Sequence, residues 1–491
     1  MLELSRTFLL VTSLICVAVW LGYIAKKRRR LPPRPPSTAS SGEPWKVYAQ
    51  WAASLGPLVR VTSVGNMVIT LNTFEAASDL LEKRGHFASR PPWPMADLLG
   101  RQKNVAFQYY GDRLRRCRKA LHASLSPTAI ASQWSDLLDY YSRELLVRYM
   151  ESPTSAYADS LGIVESLILQ LAYGHAPGPD NVKVSRDSME DSVVGLQPGT
   201  WWVNSIPALR YIPEWFPGAG FKRWANKARK AFVATIEKAF FDVKEEVHLG
   251  KAPPSFVRAS LERSDGTPDE DDIIMSCAGS LFSAGSDTII ATYRNFLLYM
   301  MLHPDIQERA FQELVSVIGN DRLPTAEDQP ALPFIDCLIQ EVHRIGAVVP
   351  LMPHSNWKDD EYLGYHIPKD SWIMGNGWAM LHDSQQYANP QEFNPDRFAA
   401  KDGRPVPRDP RTIAFGFGRR LCPGMHFANA FLFLAITRTL AAFEICPTIE
   451  NGQVVAPSMT GYKTGLVWMP SEFKCTMKPR AKAHAMIGLD D

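Results

Sequence analysis

The segment Phe415–Gly424, which reads FGFGRRLCPG, constrains this chain more than any other feature of its sequence. Its three glycines allow tight turns and let the backbone approach a flat ligand closely. Cys422 stands just before an apolar stretch, roughly residues 425–443, that has the period of a helix. Backbone N–H groups and a helix N-terminus around its sulfur would favour thiolate over thiol, and a thiolate is a known axial ligand of iron. The segment therefore predicts an iron-binding sulfur at Cys422.

The other cysteines carry no comparable signal. None of the seven cysteines is paired in a C-x-x-C spacing, which argues against a zinc site and a disulfide framework and indicates a reducing compartment. Cys277, Cys337 and Cys446 are interpreted as inert buried residues.

The N-terminus predicts a membrane anchor over residues 1–25. The stretch Thr7–Ala25 has no charged residue and is about as long as a helix that spans a bilayer. The basic run Lys26–Arg30 follows at once, and by the positive-inside rule it keeps the rest of the chain in the cytoplasm. A cleaved signal peptide is the alternative, but neither a short apolar region nor a clear cleavage site is present. Residues 26–42, basic and then proline-rich, are predicted to form a stiff linker, and residues 43–491 one globular domain.

Periodicity predicts a mostly α-helical domain with a minor sheet part (α+β). Residues from about 110 to 345 are mainly helical in period, whereas alternation near 45–75 and 362–375 indicates strands, including a hairpin. Lys+Arg 53 against Asp+Glu 51 leaves almost no net charge, so no nucleic-acid partner is predicted.

The longest predicted helix begins at Thr267 and ends before His303. A threonine cap, a proline in the first turn and clustered acids are all favourable at a helix start. Its middle, Ala284–Thr288, reads AGSDT, where glycine and a buried acid are both unfavourable. Taken alone, this motif indicates a kink or a close helix crossing more readily than a catalytic site.

Four motifs resemble those of a known family and occur in the same order as in that family. The segment FGFGRRLCPG is similar to the haem-binding loop F-x-x-G-x-R-x-C-x-G of the cytochrome P450 family and fits at every fixed position. AGSDT resembles the family's oxygen-binding helix, Glu341–Arg344 its E-x-x-R helix, and Pro395–Phe398 its P-E-R-F loop with Asp for Glu. The sequence of the cysteine loop is similar to that of fungal endoplasmic-reticulum members of the family that act in secondary metabolism, including the O-methylsterigmatocystin oxidoreductase group. The resemblance covers essentially the whole chain and implies the cytochrome P450 fold.

The resemblance implies haem b as cofactor, with Cys422 as the ligand of its iron. Arginine and histidine side chains would bind the two haem propionates. The family's W-x-x-x-R helix reads Leu114 to Arg118 here, and leucine has no indole N–H, so one propionate bond is expected to be missing or replaced by water. The residues expected to contact the cofactor are Arg118, His354, Phe415, Arg420, Cys422 and Gly424.

The resemblance also implies roles beyond the cofactor. Asp287 and Thr288 would relay protons to reduced dioxygen, because an acid beside a hydroxyl can pass a proton through ordered water. Glu341 and Arg344, three residues apart on one helical face, would pair with Arg397 in a buried ionic network that supports the cysteine loop. A surface pair of little energetic value is the alternative for these two residues.

The function expected from this resemblance is monooxygenation of a lipophilic small molecule. The chain has no flavin, nicotinamide or iron–sulfur motif, so electrons would come from NADPH through a separate diflavin reductase. The basic run Arg113–Lys119 is a candidate docking surface for that reductase, although a charge run is as often a solvated face. Substrate contacts are expected near residues 90–110, 197–215, 283–288, 347–351 and 458–461.

The expected location is the endoplasmic-reticulum membrane, with a single span and a cytoplasmic domain. Two alternatives remain open. One is a thiolate-haem isomerase or dehydratase, and the other is a haem-binding protein without turnover.

Overall fold

Helices make up most of the chain, as the sequence predicts. The computed structural model describes residues 30–36, 42–63, 66–175, 187, 190–196, 200–400, 403, 405–455, 461–463 and 465–489. The longer helices are α1 (Pro44–Leu55), α2 (Asp112–Leu125), α3 (Ser135–Glu151), α4 (Ala156–Tyr173), α5 (Gly220–His248), α6 (Pro268–Leu302), α7 (Pro304–Ile318), α8 (Pro333–Gly346) and α9 (Met425–Ala442). Shorter α-helices lie at Phe74–Ala77, Pro94–Leu98, Pro127–Ala129, Trp202–Ser205, Phe256–Leu261, Gly377–Leu381, Arg411–Ala414 and Ala483–Ile487. Single turns of 3-10 or π type lie at Ser78–Glu82, Gly85–Phe87, Arg101–Lys103, Ile130–Trp134, Pro207–Tyr211, Ala326–Ala331, Pro395–Phe398 and Gly418–Arg420.

The strands form one four-stranded sheet and several two-stranded ribbons. They are β1 (Leu58–Ser63), β2 (Asn66–Leu71), β3 (Leu351–Ser355), β4 (Asp360–Tyr362), β5 (Tyr365–Ile367), β6 (Trp372–Asn376), β7 (Phe443–Pro447), β8 (Ile449–Glu450), β9 (Gln453–Val454), β10 (Tyr462–Lys463), β11 (Met469–Pro470) and β12 (Cys475–Pro479). The main sheet has the order β1–β2–β6–β3, with β2 and β6 parallel and the other neighbours antiparallel. It joins the predicted N-terminal hairpin to strands near residue 370, which confirms the minor sheet part.

Helix α6 runs unbroken through the helical core. The Thr267 hydroxyl caps it by accepting the Glu270 N–H at 3.3 Å, as the sequence predicts. A Cβ at Gly285 would lie only 3.2 Å from Ile168 of α4, so this glycine permits a close helix crossing. The motif AGSDT thus marks a crossing of helices and not a break.

Two apolar helices belong to the core of the protein. α6 and α9 are long and apolar enough to span a bilayer, but 61% and 72% of their most apolar windows are buried within the protein. Core helices of soluble domains have the same composition, so this finding does not bear on the predicted anchor. That anchor, residues 1–25, lies outside the described residues, as do residues 26–29 and 37–41 of the predicted linker.

The described part of the linker packs on the domain. The Pro33 carbonyl accepts the Arg60 N–H of β1 at 2.8 Å, and the Arg30 carbonyl accepts the His366 N–H of β5 at 2.7 Å. The Arg30 guanidinium also lies over the Tyr365 ring, 5.0 Å from its centroid. An extended proline-rich segment leaves its carbonyls available for such bonds. Residues 30–36, which belong to the predicted stiff linker, therefore lie along the domain.

Candidate functional site

The cysteine loop connects a short helix to α9 and turns on its glycines. The Cys422 N–H donates to the Phe415 carbonyl at 2.8 Å, which closes the loop. Gly418 has φ +51°, and a Cβ there would lie 2.6 Å from the Leu81 carbonyl oxygen and 2.8 Å from the Glu82 Cα. Neither backbone contact can yield, so Gly418 has to be glycine.

The Cys422 sulfur receives the donors that the sequence predicts. The backbone N–H groups of Gly424 and Met425 bond to it, and the Arg118 charge also favours thiolate. Burial acts in the opposite direction and prevails, so the pKa of the Cys422 thiol is raised. The donors expected from the sequence are thus present, but burial outweighs their effect on the thiol.

Gly424 and Phe415 are the other two loop residues that the sequence predicts as contacts of the cofactor. A Cβ at Gly424 would lie 4.0 Å from the Cys422 sulfur, an ordinary contact, and its φ of −91° does not require glycine. Phe415 is half-buried, and its ring lies 5.4 Å from that of His343 on α8. The cysteine loop is thereby in contact with the E-x-x-R helix.

Three interior arginines, Arg90, Arg118 and Arg420, form what is called here the cation cluster. Burial, with the charges of Arg90 and Arg118, lowers the pKa of Arg420 to about 8. Burial and the Arg118 charge lower the pKa of Arg90 to about 10. Among the described residues, no carboxylate forms an ion pair with any of the three. Interior like charges without counter-ions are costly, so the cluster fits an anionic ligand such as the two propionates of haem.

Members of the cation cluster differ in how the protein holds them. Arg420 donates to the carbonyl oxygens of Ala88 at 2.6 Å and Gln108 at 2.5 Å. Arg118 makes no hydrogen bond within the described part of the chain, and its charge acts on the Cys422 sulfur. Arg118 is therefore close enough to the Cys422 sulfur for the two to interact electrostatically.

Arg90 is the site residue that the sequence does not single out. Its Nε donates to the Ala106 carbonyl at 2.7 Å, and its guanidinium also bonds to the Pro353 carbonyl. Leu114, where the family has tryptophan, is buried in the core at 1% exposure. Arg90 thus adds a third arginine to the two that the sequence predicts for the propionates. An arginine just before the proline pair at 91 and 92 was the available signal, and it is weak.

His354 lies beside the cation cluster in a neutral form. Its Nδ1 is 3.0 Å from the Phe87 carbonyl, so Nδ1 is assigned the proton and Nε2 is an acceptor. Burial, together with the charges of Arg90 and Arg420, lowers the pKa of His354 to about 3. In this state His354 has no proton on Nε2 for a propionate. An anion bound beside it would raise that pKa and favour the protonated ring.

Glu341, Arg344 and Arg397, called here the scaffold network, lie together as predicted. Arg344 donates to both oxygens of Glu341 at 2.7 and 2.8 Å, and Arg397 Nε is 3.1 Å from the same carboxylate. The side chains of Glu341 and Arg344 have no exposed surface. The spare donors of both arginines reach the Glu392 carbonyl. The surface-pair alternative is thereby excluded, while support of the cysteine loop stays a prediction.

The middle of α6 borders an interior space. Residues 273–280 and 289–301 are buried, but Ala284 between them is exposed, and Ser283, Asp287 and Thr288 are half-buried. These four residues are spaced so that they share one helical face. The Thr288 hydroxyl donates to the Ala284 carbonyl at 2.9 Å, and the Arg294 charge, two turns on, acts on Asp287. The relay residues thus line the open face of the helix.

Two arginines of the basic run on α2 form ion pairs with other residues of the protein. Arg113 donates to Asp272 at 2.5 Å and to the Ser276 hydroxyl at 2.6 Å. Arg116 binds Asp269 and Glu270, the latter at 2.5 Å. These ion pairs fasten α2 to the start of α6. The predicted docking surface therefore loses two of its cations to internal contacts.

Known proteins match this chain over nearly all of its length. The family model of cytochrome P450 matches residues 36–477. Cytochrome P450 monooxygenase 208 of Postia placenta is 35% identical, with 99% of this chain and 98% of the relative covered. Cytochrome P450 monooxygenase ppsD of Aspergillus oryzae is 32% identical, with 98% and 94% covered. A solved zebrafish cytochrome P450 with abiraterone superposes at a TM-score of 0.71 and 25% identity, covering 89% of this chain and 100% of that one.

Proposed function

The chain belongs to the cytochrome P450 family, and from that premise we propose that it inserts one oxygen atom of O2 into a lipophilic small molecule. Relatives that are named monooxygenases and match nearly the full length make it a cytochrome P450 monooxygenase. The observation that carries the proposal is the Cys422 sulfur, which lies within electrostatic reach of Arg118 in the cation cluster.

Haem is the cofactor that these residues fit, and when bound its iron supplies the activation of dioxygen. Cys422 would hold the iron, and Arg90, Arg118 and Arg420 would bind the propionates. The scaffold network fixes the segment around residues 388–394 against α8, because both of its arginines donate to carbonyl oxygens there. These residues would therefore bind and orient the haem.

Protons are moved by Thr288 and Asp287 on the open face of α6. The Thr288 hydroxyl keeps its position by donating to the Ala284 carbonyl, and it can exchange that bond for one to an ordered water. Asp287 precedes it and takes protons from the solvent side. Retention of this acid–hydroxyl pair favours oxygen chemistry over isomerisation or dehydration, which need no such protons.

Replacement of Thr288 by alanine tests the relay. We expect NADPH consumption to persist while more hydrogen peroxide is released and product falls by about tenfold or more. Thr292→Ala is the matched control, since Thr292 is a buried threonine one turn on whose hydroxyl also donates to a helix carbonyl, at 3.1 Å. An unchanged ratio of product to NADPH in Thr288→Ala would rule out the relay.

The electron donor and the membrane location are part of the same proposal. We propose that an NADPH-dependent diflavin reductase reduces it at the endoplasmic-reticulum membrane, with residues 1–25 as the anchor. Exposed aromatic side chains lie between helices α4 and α5, namely Trp202, Tyr211 and Trp215 at 76, 73 and 79% exposure. Large exposed aromatic rings favour a membrane interface. Fungal relatives support a role in secondary metabolism, and zebrafish relatives solved with abiraterone and progesterone support a lipophilic substrate.

Isotope labelling separates the proposal from its two rivals. The haem-loaded full chain is combined with a diflavin reductase, NADPH and a panel of lipophilic compounds under labelled dioxygen. A monooxygenase yields a product that carries one labelled oxygen atom. A product without label would indicate an isomerase or dehydratase, and NADPH oxidation that no compound stimulates would indicate a haem-binding protein without turnover.

A further inference from the structure

We propose that Ser283 donates a hydrogen bond to an oxygen atom of the substrate, so that the enzyme acts on lipophilic molecules that already carry a carbonyl, ether or hydroxyl group. The inference rests on the proposed function, because it takes the interior space beside α6 as the substrate's place. It narrows the substrate class from lipophilic to oxygenated lipophilic.

Ser283 stands on the open face of α6. It is half-buried and lies beside Ala284, which is exposed although the helix crosses the core. Asp287 follows one turn later on the same face. Ser286 points away from this face and is 6% exposed. The position of Ser283 therefore puts a hydroxyl at the edge of the interior space.

The acceptor side of the Ser283 hydroxyl is already occupied. The Asn104 Nδ2 donates to its oxygen at 2.7 Å. Asn104 is 5% exposed, and its Oδ1 accepts the Ala106 N–H at 2.9 Å, which fixes the orientation of the amide. Because Asn104 presents a donor, the hydrogen of the Ser283 hydroxyl must point elsewhere.

Among the described residues, the donor side of that hydroxyl has only one long contact. The Ser280 carbonyl is 3.5 Å from it, well beyond the ordinary range of an O–H···O bond. Ser280 on the same helix shows the usual arrangement, since its hydroxyl donates to the Ser276 carbonyl at 2.5 Å and accepts the Val105 N–H at 2.8 Å. Ser280 is thus complete, whereas Ser283 keeps a hydrogen for an external acceptor.

A donor of this kind selects for oxygen on the ligand. A hydrocarbon that covers Ser283 removes it from water and leaves its hydrogen unpaired, while a ligand oxygen pairs with it. One such bond changes affinity by roughly tenfold. Discrimination by a site built to bond a polar group is stronger than discrimination by apolar shape.

Matched ligand pairs test the proposal on the haem-loaded full chain. The probes are valencene and nootkatone, cedrene and cedrol, and 5α-cholestane and 5α-cholestan-3β-ol, each pair a hydrocarbon and an oxygenated counterpart. Dissociation constants come from the spin-state change of the haem on titration. The proteins are the wild type, Ser283→Ala, Ser283→Thr, which keeps a hydroxyl, and Ser286→Ala as the matched control on the same helix.

The expected result is a preference of about tenfold for the oxygenated member in the wild type, Ser283→Thr and Ser286→Ala, and its loss in Ser283→Ala. Any of three results would overturn the proposal. They are equal affinity of the wild type for a hydrocarbon and its oxygenated counterpart, a preference that survives in Ser283→Ala, and no spin-state change with any oxygenated probe. A reduced, carbon-monoxide-bound spectrum without thiolate character would instead show that the proposed function itself fails.

Discussion

The scaffold network and the cation cluster are two sets of interior arginines that the protein treats in opposite ways. In the scaffold network every guanidinium shares one buried carboxylate, and its spare donors reach carbonyl oxygens. The cation cluster has no carboxylate partner among the described residues, and burial together with neighbouring arginine charges lowers the pKa of Arg90 and Arg420. The first set is complete in the protein alone, while the second is completed only by an anionic ligand.

On the proposed function, this difference separates residues that would hold the fold from residues that would hold the cofactor. Breaking a satisfied buried ion pair leaves an uncompensated charge and is costly. Removing one member of an unpaired set relieves repulsion and weakens only ligand binding. Arginine substitutions in the scaffold network should therefore impair folding, whereas those in the cation cluster should impair ligand binding and have smaller effects.

Loss of the Glu341 carboxylate should have the largest effect. Glu341→Ala leaves Arg344 and Arg397 as buried unpaired cations, which costs about 3–5 kcal/mol of the free energy of unfolding and prevents haem incorporation. The ratio of haem to protein after purification is the measurement. Asp242→Ala, which breaks the exposed pair with Lys238 at 2.6 Å, should leave that ratio unchanged. Normal haem content in Glu341→Ala would contradict the scaffold role.

Acid should act on two buried histidines to different extents in the haem-loaded protein. Burial, with the Arg411 charge, lowers the pKa of His343 to about 4, and burial with the cation cluster lowers that of His354 to about 3. Because the unfolded chain then binds more protons, stability is full above about pH 6.5 and is lost as pH falls toward these values. Without an anion bound nearby, each histidine would cost about 2 kcal/mol of the free energy of unfolding between pH 6.5 and pH 5.

Haem propionates beside His354 should raise its pKa and reduce its share of that loss. Urea midpoints of the haem-loaded wild type, His343→Asn and His354→Asn between pH 7 and pH 5 measure the two shares. We expect His343→Asn to flatten the pH dependence more than His354→Asn does. The reverse order would mean that no anion lies beside His354.

The smallest expected effect is on haem retention. Arg118 has no hydrogen bond within the described part of the chain, so Arg118→Met should leave the fold intact. Haem loss to an excess of apomyoglobin should be faster by about tenfold, as expected for one charge-assisted bond. Arg344→Met is the contrasting variant and should lose both fold and haem. A haem-loss rate in Arg118→Met equal to that of the wild type would place the propionates elsewhere.

The sequence predicts those parts of the site that depend on local spacing. Glu341 and Arg344 are three residues apart, so any helix brings them together, and the Thr267 cap of α6 is a local signal too. Arg90 was missed because its partners lie far away in the chain, at Ala106 and at Pro353, 263 residues on. No local pattern encodes contacts of that kind.

Long-range pairing also explains two sets of contacts that the sequence did not predict. Arg113 and Arg116 were assigned to a docking surface because their charges stand out locally, but their partners begin α6 more than 150 residues later. The predicted stiff linker is recognisable from its prolines, but its composition does not predict that carbonyls of residues 30–36 bond to β1 and β5. The anchor over residues 1–25 and the membership in a particular fungal subgroup stay predictions.

The absorption spectrum of the reduced, carbon-monoxide-bound protein tests the central claim most directly. Thiolate ligation by Cys422 predicts a Soret band shifted far to the red, and Cys422→His should abolish that shift while Cys337→Ser, at a cysteine packed against Tyr387 and Phe398, should keep it. A wild-type spectrum without the shift, or a shift that persists in Cys422→His, would contradict the assignment of Cys422 as the iron ligand.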